Sequence, residues 1–309
     1  MLRRNVLILH AGALGDFVLA WPLVLALARL HPQSRIIVVA PHSKGALAEA
    51  ALRVEASDIE PGWRSLFSAP GVPLGERARN LLDGAHAVYS FLGESPDPLR
   101  ARAPEAQVVA LKTIPPDGWS AHASQWLLEQ LKSAPAVRGA VEQMIRSINA
   151  RGVGSGRSHD GDVVVHPGSG ARDKCWPIDR FVQLIERVRR GRRDVRVLLG
   201  EVELERFSAE DVKALETVAT SVRRPATYLE LFNELRSAGA VICNDSGPAH
   251  LSGAMGVPTL ALFGPTDPAL WRPLGPRVHV LREAALEKLS VAKVYAAAAA
   301  MWGHEPCEP

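Results

Sequence analysis

Short runs of apolar, often β-branched residues alternate along this chain with longer stretches of helical periodicity, and the whole alternation occurs twice. Apolar runs without polar alternation, each followed by a helix, are typical of parallel strands covered on both faces. The pattern predicts strands at residues 5–10, 35–40, 85–91, 107–111, 162–166, 195–199, 240–243 and 259–263. It predicts helices at 16–30, 43–53, 120–132, 178–190, 209–220, 228–237 and 248–255. The fold class is therefore α/β, with doubly wound parallel sheets.

A Gly/Ser-rich stretch at residues 151–161 separates the two series, lacks apolar periodicity and precedes a new strand. A chain of 309 residues is also longer than a single core usually supports. We predict two Rossmann-like domains, 1–155 and 156–282, that face each other across a cleft. The remaining residues, 283–309, contain an Ala-rich helix that we predict to pack back on the N-terminal domain.

Charge is balanced in both halves, with 15 basic and 13 acidic residues in 1–150 and 21 and 20 in 151–309. Without a basic stripe and interleaved aromatic residues, nucleic acid is not expected as a partner. The basic segment 187–193 is interpreted as cations at a helix C-terminus, with contact to an anionic membrane as the alternative.

Asp16 interrupts the apolar N-terminal stretch, which argues against a secretory signal, because an acid is unfavourable inside an apolar segment. Cys175, Cys243 and Cys307 are far apart and form no Cys-x-x-Cys motif, which fits a reducing compartment. We therefore predict a cytoplasmic protein, with peripheral association with the inner membrane face left open.

A polar cluster, NDSGPAH at residues 244–250, lies between a strand and a helix. Asp245 or Ser246 is expected to cap the helix, and Pro248 suits its first turn. Gly247 allows close approach to the backbone, and a helix N-terminus favours an anion such as a diphosphate. A plain cap, with His250 as a core histidine, is the alternative.

A second polar loop, HPGSGARDKCWP at residues 166–177, follows the first strand of the second domain. Gly168 and Ser169 offer backbone donors and a hydroxyl, and Lys174 offers a cation. The loop matches neither a P-loop nor a hydrolase nucleophile elbow. Two such loops on neighbouring strands predict a nucleoside diphosphate bound without an NTPase motif.

The third loop, residues 10–16 (HAGALGD), opens the first domain. Only Gly12 and Gly15 are present, so the dinucleotide fingerprint is incomplete and a dehydrogenase is disfavoured. Asp16 stands where the strand turns into a helix. It is either a helix N-cap or a carboxylate placed as a general base.

Taken together, these loops resemble glycosyltransferase family 9, the heptosyltransferases of lipopolysaccharide inner-core assembly. The matching segments are LGD at 14–16 with Pro22, HPGS at 166–169, KCWP at 174–177, NDSGPAH at 244–250, GVPT at 256–259 and FGPTDP at 263–268. The resemblance covers roughly residues 1–40 and 160–275.

The resemblance implies a GT-B fold, with the acceptor on the N-terminal domain and a nucleotide-sugar, ADP-linked heptose, on the C-terminal domain. It implies that Asp16 deprotonates an acceptor hydroxyl of a glycolipid or glycan, while Lys174 stabilises the negative charge of the leaving group. The residues implied to bind the donor are Gly168, Ser169, Lys174, Glu203, Asp245, Ser246, Gly247 and His250. For the ribose contact, Glu201 and Glu205 remain alternatives to Glu203.

The resemblance also implies inversion at the anomeric carbon without a metal ion or other cofactor. Asp160 and Asp162 imitate a metal-binding Asp-x-Asp, but they precede a strand rather than follow one. His10 stands where the family commonly has Lys or Arg. An epimerase of the same architecture and a non-catalytic binder of nucleotide-sugar remain the alternative functions.

Overall fold

The computed structural model describes residues 4–60, 62–63, 66, 73–93, 95–153 and 161–302. The chain divides into two compact units, Met1–Arg146 and Ser147–Pro309. The division falls within a helix, whereas the sequence placed the boundary in the Gly/Ser-rich segment. Most of that segment, residues 154–160, lies outside the described residues.

The first unit contains one five-stranded parallel sheet in the order β3-β2-β1-β4-β5. Its strands are β1 (Asn5–Leu9), β2 (Arg35–Ala40), β3 (Glu55–Asp58), β4 (Ala85–Ser90) and β5 (Gln107–Ala110). Its helices are α1 (Leu14–Leu19), α2 (Trp21–Leu30), α3 (His42–Leu52), α4 (Glu76–Asp83), α5 (Asp97–Arg102), α6 (Ala123–Gln130) and α7 (Pro135–Arg151). The central strand β1 is buried at all five positions, as its apolar sequence predicts.

The second unit contains a six-stranded parallel sheet in the order β11-β10-β9-β6-β7-β8. Its strands are β6 (Val163–His166), β7 (Val195–Leu198), β8 (Ser221–Arg223), β9 (Ala240–Asn244), β10 (Thr259–Phe263) and β11 (Val278–Arg282). Its helices are α8 (Ile178–Arg190), α9 (Glu201–Arg206), α10 (Ala209–Val218), α11 (Tyr228–Arg236), α12 (Gly247–Ala254), α13 (Pro268–Trp271) and α14 (Val291–Met301).

The predicted α/β class, with two doubly wound parallel sheets, is confirmed. Three edge strands, β3, β8 and β11, were not predicted, because each is short and carries polar residues on a partly exposed edge. The helix predicted at 16–30 is two helices that meet at Ala20, next to Pro22 in the first turn of α2.

The C-terminal helix contributes to the core of the second unit. Helix α14 packs on α8, and its Val294 and Ala298 belong to this core together with Phe181 and Leu184. The small side chains of the Ala-rich helix allow this close packing. The contact of this helix with the N-terminal domain stays a prediction. Within the described residues, no helix has the length and apolarity needed to span a bilayer.

Candidate functional sites

The second unit brings two predicted loops together at the carboxyl ends of β6 and β9. From β6 the sheet continues through β7 and β8 on one side, and from β9 through β10 and β11 on the other. The strand order therefore reverses between β6 and β9, which is where open α/β sheets bind their ligands. The loops 166–177 and 244–250 both begin at this point.

Asn244, at the end of β9, ties both ends of the 166–177 loop to the sheet. Its side-chain Nδ2 donates to the Pro167 carbonyl at 2.7 Å, and its Oδ1 accepts from the Trp176 backbone N–H at 3.0 Å. Asn244 is fully buried, so these bonds are protected from water. Its position in the sequence motif did not reveal this anchoring function.

Ser169, Lys174 and Asp245 form a hydrogen-bonded group above these strands. Ser169 Oγ donates to the Asp245 carbonyl at 2.6 Å, and Lys174 Nζ donates to Asp245 Oδ2 at 3.0 Å. The Asp245 side chain is 7% exposed, whereas the Lys174 side chain is 33% exposed. The carboxylate therefore holds an ammonium group that remains accessible to an anion.

The N-terminus of α12 differs from the predicted cap. Ser246 occupies the N-cap position, but its hydroxyl donates back to the Asn244 carbonyl at 3.0 Å and does not cap the helix. Asp245 is engaged by Lys174 instead. The start of α12 therefore presents the backbone N–H of Gly247 and the positive end of the helix dipole, without a side-chain cap hydrogen bond. His250 is buried one turn into α12.

Glu203 is the only acid of the three in α9 that turns inward: it is 5% exposed, while Glu201 and Glu205 are exposed. Its Oε2 accepts from the Gly200 backbone N–H at 2.9 Å and lies 3.6 Å from His166 Nε2. Burial raises the pKa of Glu203, but the hydrogen bond and charge of His166, with backbone N–H groups, outweigh it, so the net pKa is lowered. Glu203 is thus held as a carboxylate.

Gly168 is required by the position of this carboxylate. A Cβ at Gly168 would lie 1.8 Å from Glu203 Oε1. The absence of a side chain therefore lets the acid of α9 reach the loop after β6, and two predicted binding residues come into contact although 35 positions separate them.

A cavity of about 240 Å³ opens beside Glu203 and is lined by loop 168–178 and by α9 with the residue that follows it. Its wall is mostly apolar, with Trp176, Pro177, Ile178, Val202 and Phe207 among the lining residues. Arg206, which the sequence did not single out, borders it and donates to the carbonyls of Ser169 and Gly170 at 3.1 and 3.0 Å. An apolar wall with a carboxylate and an arginine at its edge suits a flat, polar-edged ring system.

Asp16, in the first unit, lies in the first turn of α1, which follows the carboxyl end of β1. The N-cap is Ala13, so the interpretation of Asp16 as the N-cap is wrong. The α1 helix begins two residues earlier than predicted because Leu14 already packs inward. Asp16 is half-buried, and its carboxylate is favoured at this end of the helix by the dipole.

His10, at the end of β1, is 1% exposed and packs between two aromatic rings, with ring centroids 5.3 Å from Phe17 and 5.2 Å from Phe91. Burial, together with the nearby Lys44 ammonium, lowers the pKa of His10 to about 4, although the Asp16 backbone opposes the shift. His10 is therefore neutral at neutral pH and supplies no charge to the loop.

We expect stability to fall between about pH 6.5 and pH 4 because His10 binds a proton more readily in the unfolded chain. A pKa lowered from 6.5 to about 4 corresponds to a loss of roughly 3 kcal/mol when pH falls through that range. Urea unfolding at pH 7, 5 and 4 measures this loss in the free energy of unfolding. His10→Phe should flatten this part of the profile, whereas the exposed His279→Gln should not; equal profiles for His10→Phe and the wild type would contradict the assignment.

Lys44 is the residue of this site that sequence reasoning missed. It lies in the first turn of α3 and is 7% exposed. Its Nζ donates to the Gly12 carbonyl at 2.5 Å and approaches the Ala11 carbonyl at 3.5 Å. No local signal marks it, because the contact depends on β1 and β2 pairing side by side.

The structure gives Asp162 a partner other than a metal. Its Oδ2 accepts from Arg196 Nη2 at 2.7 Å, at the end of β6 opposite to Lys174. Asp160 lies outside the described residues. In the described part of the chain, no group of three or more His, Cys, Asp or Glu side chains is placed to hold a metal ion.

The basic end of α8 packs on α14. The Arg187 guanidinium lies 4.6 Å from the centre of the Tyr295 ring, and that of Arg193 lies 5.0 Å from the Trp302 ring. These cation–π contacts support the structural interpretation of the basic segment.

Two parallel α/β domains with loops at the carboxyl ends of their strands define the GT-B class of fold. Residues 120–297 match the family model described as glycosyltransferase family 9 (heptosyltransferase). The chain belongs to glycosyltransferase family 9.

The curated relatives match over part of their length. Lipopolysaccharide heptosyltransferase 3 of Escherichia coli K12 is 29% identical over 140 residues, which are 43% of this chain and 38% of that protein. Lipopolysaccharide heptosyltransferase 1 of Campylobacter coli is 26% identical over 109 residues, 34% of this chain and 32% of that protein. The matched segments thus span less than half of these relatives.

Solved structures agree over nearly the whole chain. E. coli heptosyltransferase WaaC with ADP superposes with a TM-score of 0.67 at 18% identity, covering 96% of this chain and 99% of that one. A family 9 glycosyltransferase from Veillonella parvula gives 0.70 at 19% identity, covering 96% and 97%. At this identity the likeness establishes the fold.

Proposed function

We propose that this protein is an inverting glycosyltransferase that needs no metal ion and moves a sugar, heptose from ADP-heptose, onto a lipopolysaccharide inner-core or similar glycan acceptor. The observation that carries the proposal is the Lys174 ammonium, held by Asp245 at the reversal point of the sheet and close in sequence to the cavity wall. A cation, an uncapped helix start and an adjacent apolar cavity are what a nucleoside diphosphate needs.

In the proposed reaction, Asp16 takes the proton of an acceptor hydroxyl as its oxygen attacks the anomeric carbon of the donor. The new O–C bond forms as the bond from that carbon to the diphosphate oxygen breaks. The nucleoside diphosphate leaves with the electron pair, and the Lys174 ammonium and the backbone N–H of Gly247 stabilise its charge. One displacement inverts the configuration at the anomeric carbon.

For the nucleoside, we propose that the ring enters the cavity walled by Trp176, Pro177 and Phe207, and that Glu203 accepts hydrogen bonds from the ribose hydroxyls. A carboxylate is a suitable acceptor for paired hydroxyl donors. The structural neighbour with ADP bound supports adenosine diphosphate as the leaving group here.

Calorimetry with ADP, GDP and UDP tests the donor site. We expect ADP to bind most tightly of the three. Glu203→Gln should lower the affinity for ADP but change the affinity for inorganic pyrophosphate little, because in this proposal the acid contacts the ribose and not the phosphates. Glu205→Gln, on the exposed face of α9, is the matched control. Failure of all three nucleotides to bind the folded protein would contradict the proposed function.

Turnover is expected to survive EDTA. The Lys174 ammonium and the α12 start supply the positive charge that a divalent ion supplies in other transferases. Turnover is measured as ADP release from ADP-heptose before and after dialysis against chelator. The acceptor is a heptose-deficient lipopolysaccharide core. Activity lost in EDTA and restored by Mg²⁺ would overturn metal independence.

Two other functions are separated by the same assay. A non-catalytic binder would take up ADP without releasing it from ADP-heptose at any acceptor concentration. An epimerase would convert the nucleotide-sugar without acceptor and without releasing nucleotide.

We propose that the acceptor is a glycolipid at the cytoplasmic face of the inner membrane, and that the enzyme is cytoplasmic and peripheral to that membrane.

A further inference from the structure

The loop between β1 and α1 is hydrogen-bonded by Lys44, which belongs to α3. Lys44 Nζ donates to the Gly12 carbonyl at 2.5 Å and lies 3.5 Å from the Ala11 carbonyl. Both carbonyls belong to the turn that places Asp16, and a Cβ at Gly12 would lie 3.5 Å from Asp16 Oδ2. The ammonium, the turn and the carboxylate therefore form one cluster within the first unit.

The location of Lys44 is locally unfavourable. It occupies the first turn of α3, where the helix dipole disfavours a cation, and its side chain is taken out of water. Among the described residues, it is the only lysine in the buried class. Burial lowers the pKa of Lys44, and the charge of Asp16 acts in the opposite direction. The Ala11 and Gly12 carbonyls and the Asp16 charge lie outside α3, so the Asp16 turn helps to stabilise this lysine.

The titratable groups that face Lys44 in this cluster include Asp16 and His10. Asp16 acts on it from α1, and His10 faces it from β1. His10 is neutral at neutral pH because its pKa is about 4. Of these groups, Lys44 alone supplies positive charge to the Asp16 carboxylate at neutral pH.

We propose that Lys44 is a positioning residue for Asp16: it fixes the turn through the Gly12 carbonyl and keeps the carboxylate ionised and directed for proton transfer. The inference rests on the proposed function, since it assigns a partner to the proposed base. An opposite charge within about 4–6 Å shifts the proton affinity of a carboxylate by about one to three pH units.

The test compares Lys44→Met and Lys44→Arg with the wild type in the ADP-release assay, across pH 5 to 9. Met keeps most of the length of the side chain and removes the charge. We expect Lys44→Met to lower kcat at neutral pH about 10- to 100-fold and to move the acidic limb of the kcat profile to higher pH by about one unit. Lys44→Arg should retain most of kcat. Lys132→Met, an exposed lysine of the same unit paired with Glu129, is the matched control.

Thermal unfolding, ADP affinity and the pH profile of kcat together distinguish a positioning role from a loss of folding or of donor binding. Thermal unfolding shows whether Lys44→Met is folded, and ADP affinity, which belongs to the second unit, should be unchanged. Wild-type kcat in Lys44→Met, or a reduced kcat with an unmoved pH profile, would overturn the positioning role. Absence of turnover in the wild type would instead reject the proposed function and leave the ADP affinity to be explained separately.

Discussion

Asp16→Asn is expected to reduce transfer from ADP-heptose by about 10²- to 10⁴-fold at saturating donor, while ADP affinity stays within about twofold of the wild type. The amide keeps the volume of the carboxylate but cannot accept a proton from an acceptor hydroxyl. Because Asp16 is in the first turn of α1 and not its N-cap, the substitution removes a favourable dipole interaction, worth about 0.3–1 kcal/mol, together with the attraction between the carboxylate and the Lys44 ammonium. Initial rates with calorimetry on the same preparation measure both quantities.

Asp97→Asn provides the matched control for this experiment. Asp97 is also an acid in the first turn of a helix of the first unit, and it forms an exposed ion pair with Arg100. It should therefore reproduce any effect of removing a helix-start charge without affecting transfer. If Asp16→Asn retained wild-type turnover, the base would lie elsewhere, and Asp16 would stabilise α1 only.

Lys174→Met is expected to impair both binding and rate. A charge-assisted hydrogen bond contributes about 1.5–3 kcal/mol, so ADP affinity should fall about 10- to 100-fold. The rate should fall by a further factor of about 10²–10³, because the diphosphate gains charge as it leaves. Lys213→Met, on the exposed face of α10, is the matched control for loss of a lysine from the second unit.

Asp245 complicates this variant, because its carboxylate is only 7% exposed and loses its partner. Removing one member of a buried ion pair destabilises the folded protein, because the remaining charge is buried without a partner. We therefore expect Lys174→Met/Asp245→Asn to unfold at a higher temperature than Lys174→Met without recovering ADP affinity. Recovery of affinity in the double variant would show that Lys174 acts through Asp245 and does not itself bind the diphosphate.

The pair of variants assigns different functions to the two units. Asp16→Asn changes rate alone, whereas Lys174→Met changes affinity and rate. A general base contributes only as the proton moves, whereas a cation facing a diphosphate contributes in both ground and transition states. The opposite pattern would exchange the two assignments.

The convergence of the two loops of the proposed donor site could be predicted because they lie in short segments directly after apolar strands. Parallel strands place such segments at one edge of a sheet, so the motifs at 166–177 and 244–250 had to converge once the strands were recognised. Glu203 was harder to choose among three acids. Only the burial of one face of α9, with Gly168 opposite, distinguishes it from Glu201 and Glu205.

Capping was mispredicted for a related reason. Asp245, Ser246 and Asp16 are residue types that cap helices well, so local propensity favoured that role. In the structure, Lys174 binds the Asp245 carboxylate and the Asn244 carbonyl binds the Ser246 hydroxyl, while Ala13 precedes α1. Asp245 therefore bonds to a residue distant in the sequence, and Ser246 bonds to a neighbouring carbonyl, instead of capping α12.

The sequence by itself determined the α/β class, the two sheets, the loops that carry the site and the family resemblance, because these depend on periodicity and on residues adjacent in the chain. The tertiary structure decided the packing of α14 on α8, the inward turn of Glu203 and the contact of Lys44 with the Asp16 turn. Each of these depends on which strands pair and how closely they pack, and a long-range contact of this kind leaves no periodic signal along the chain.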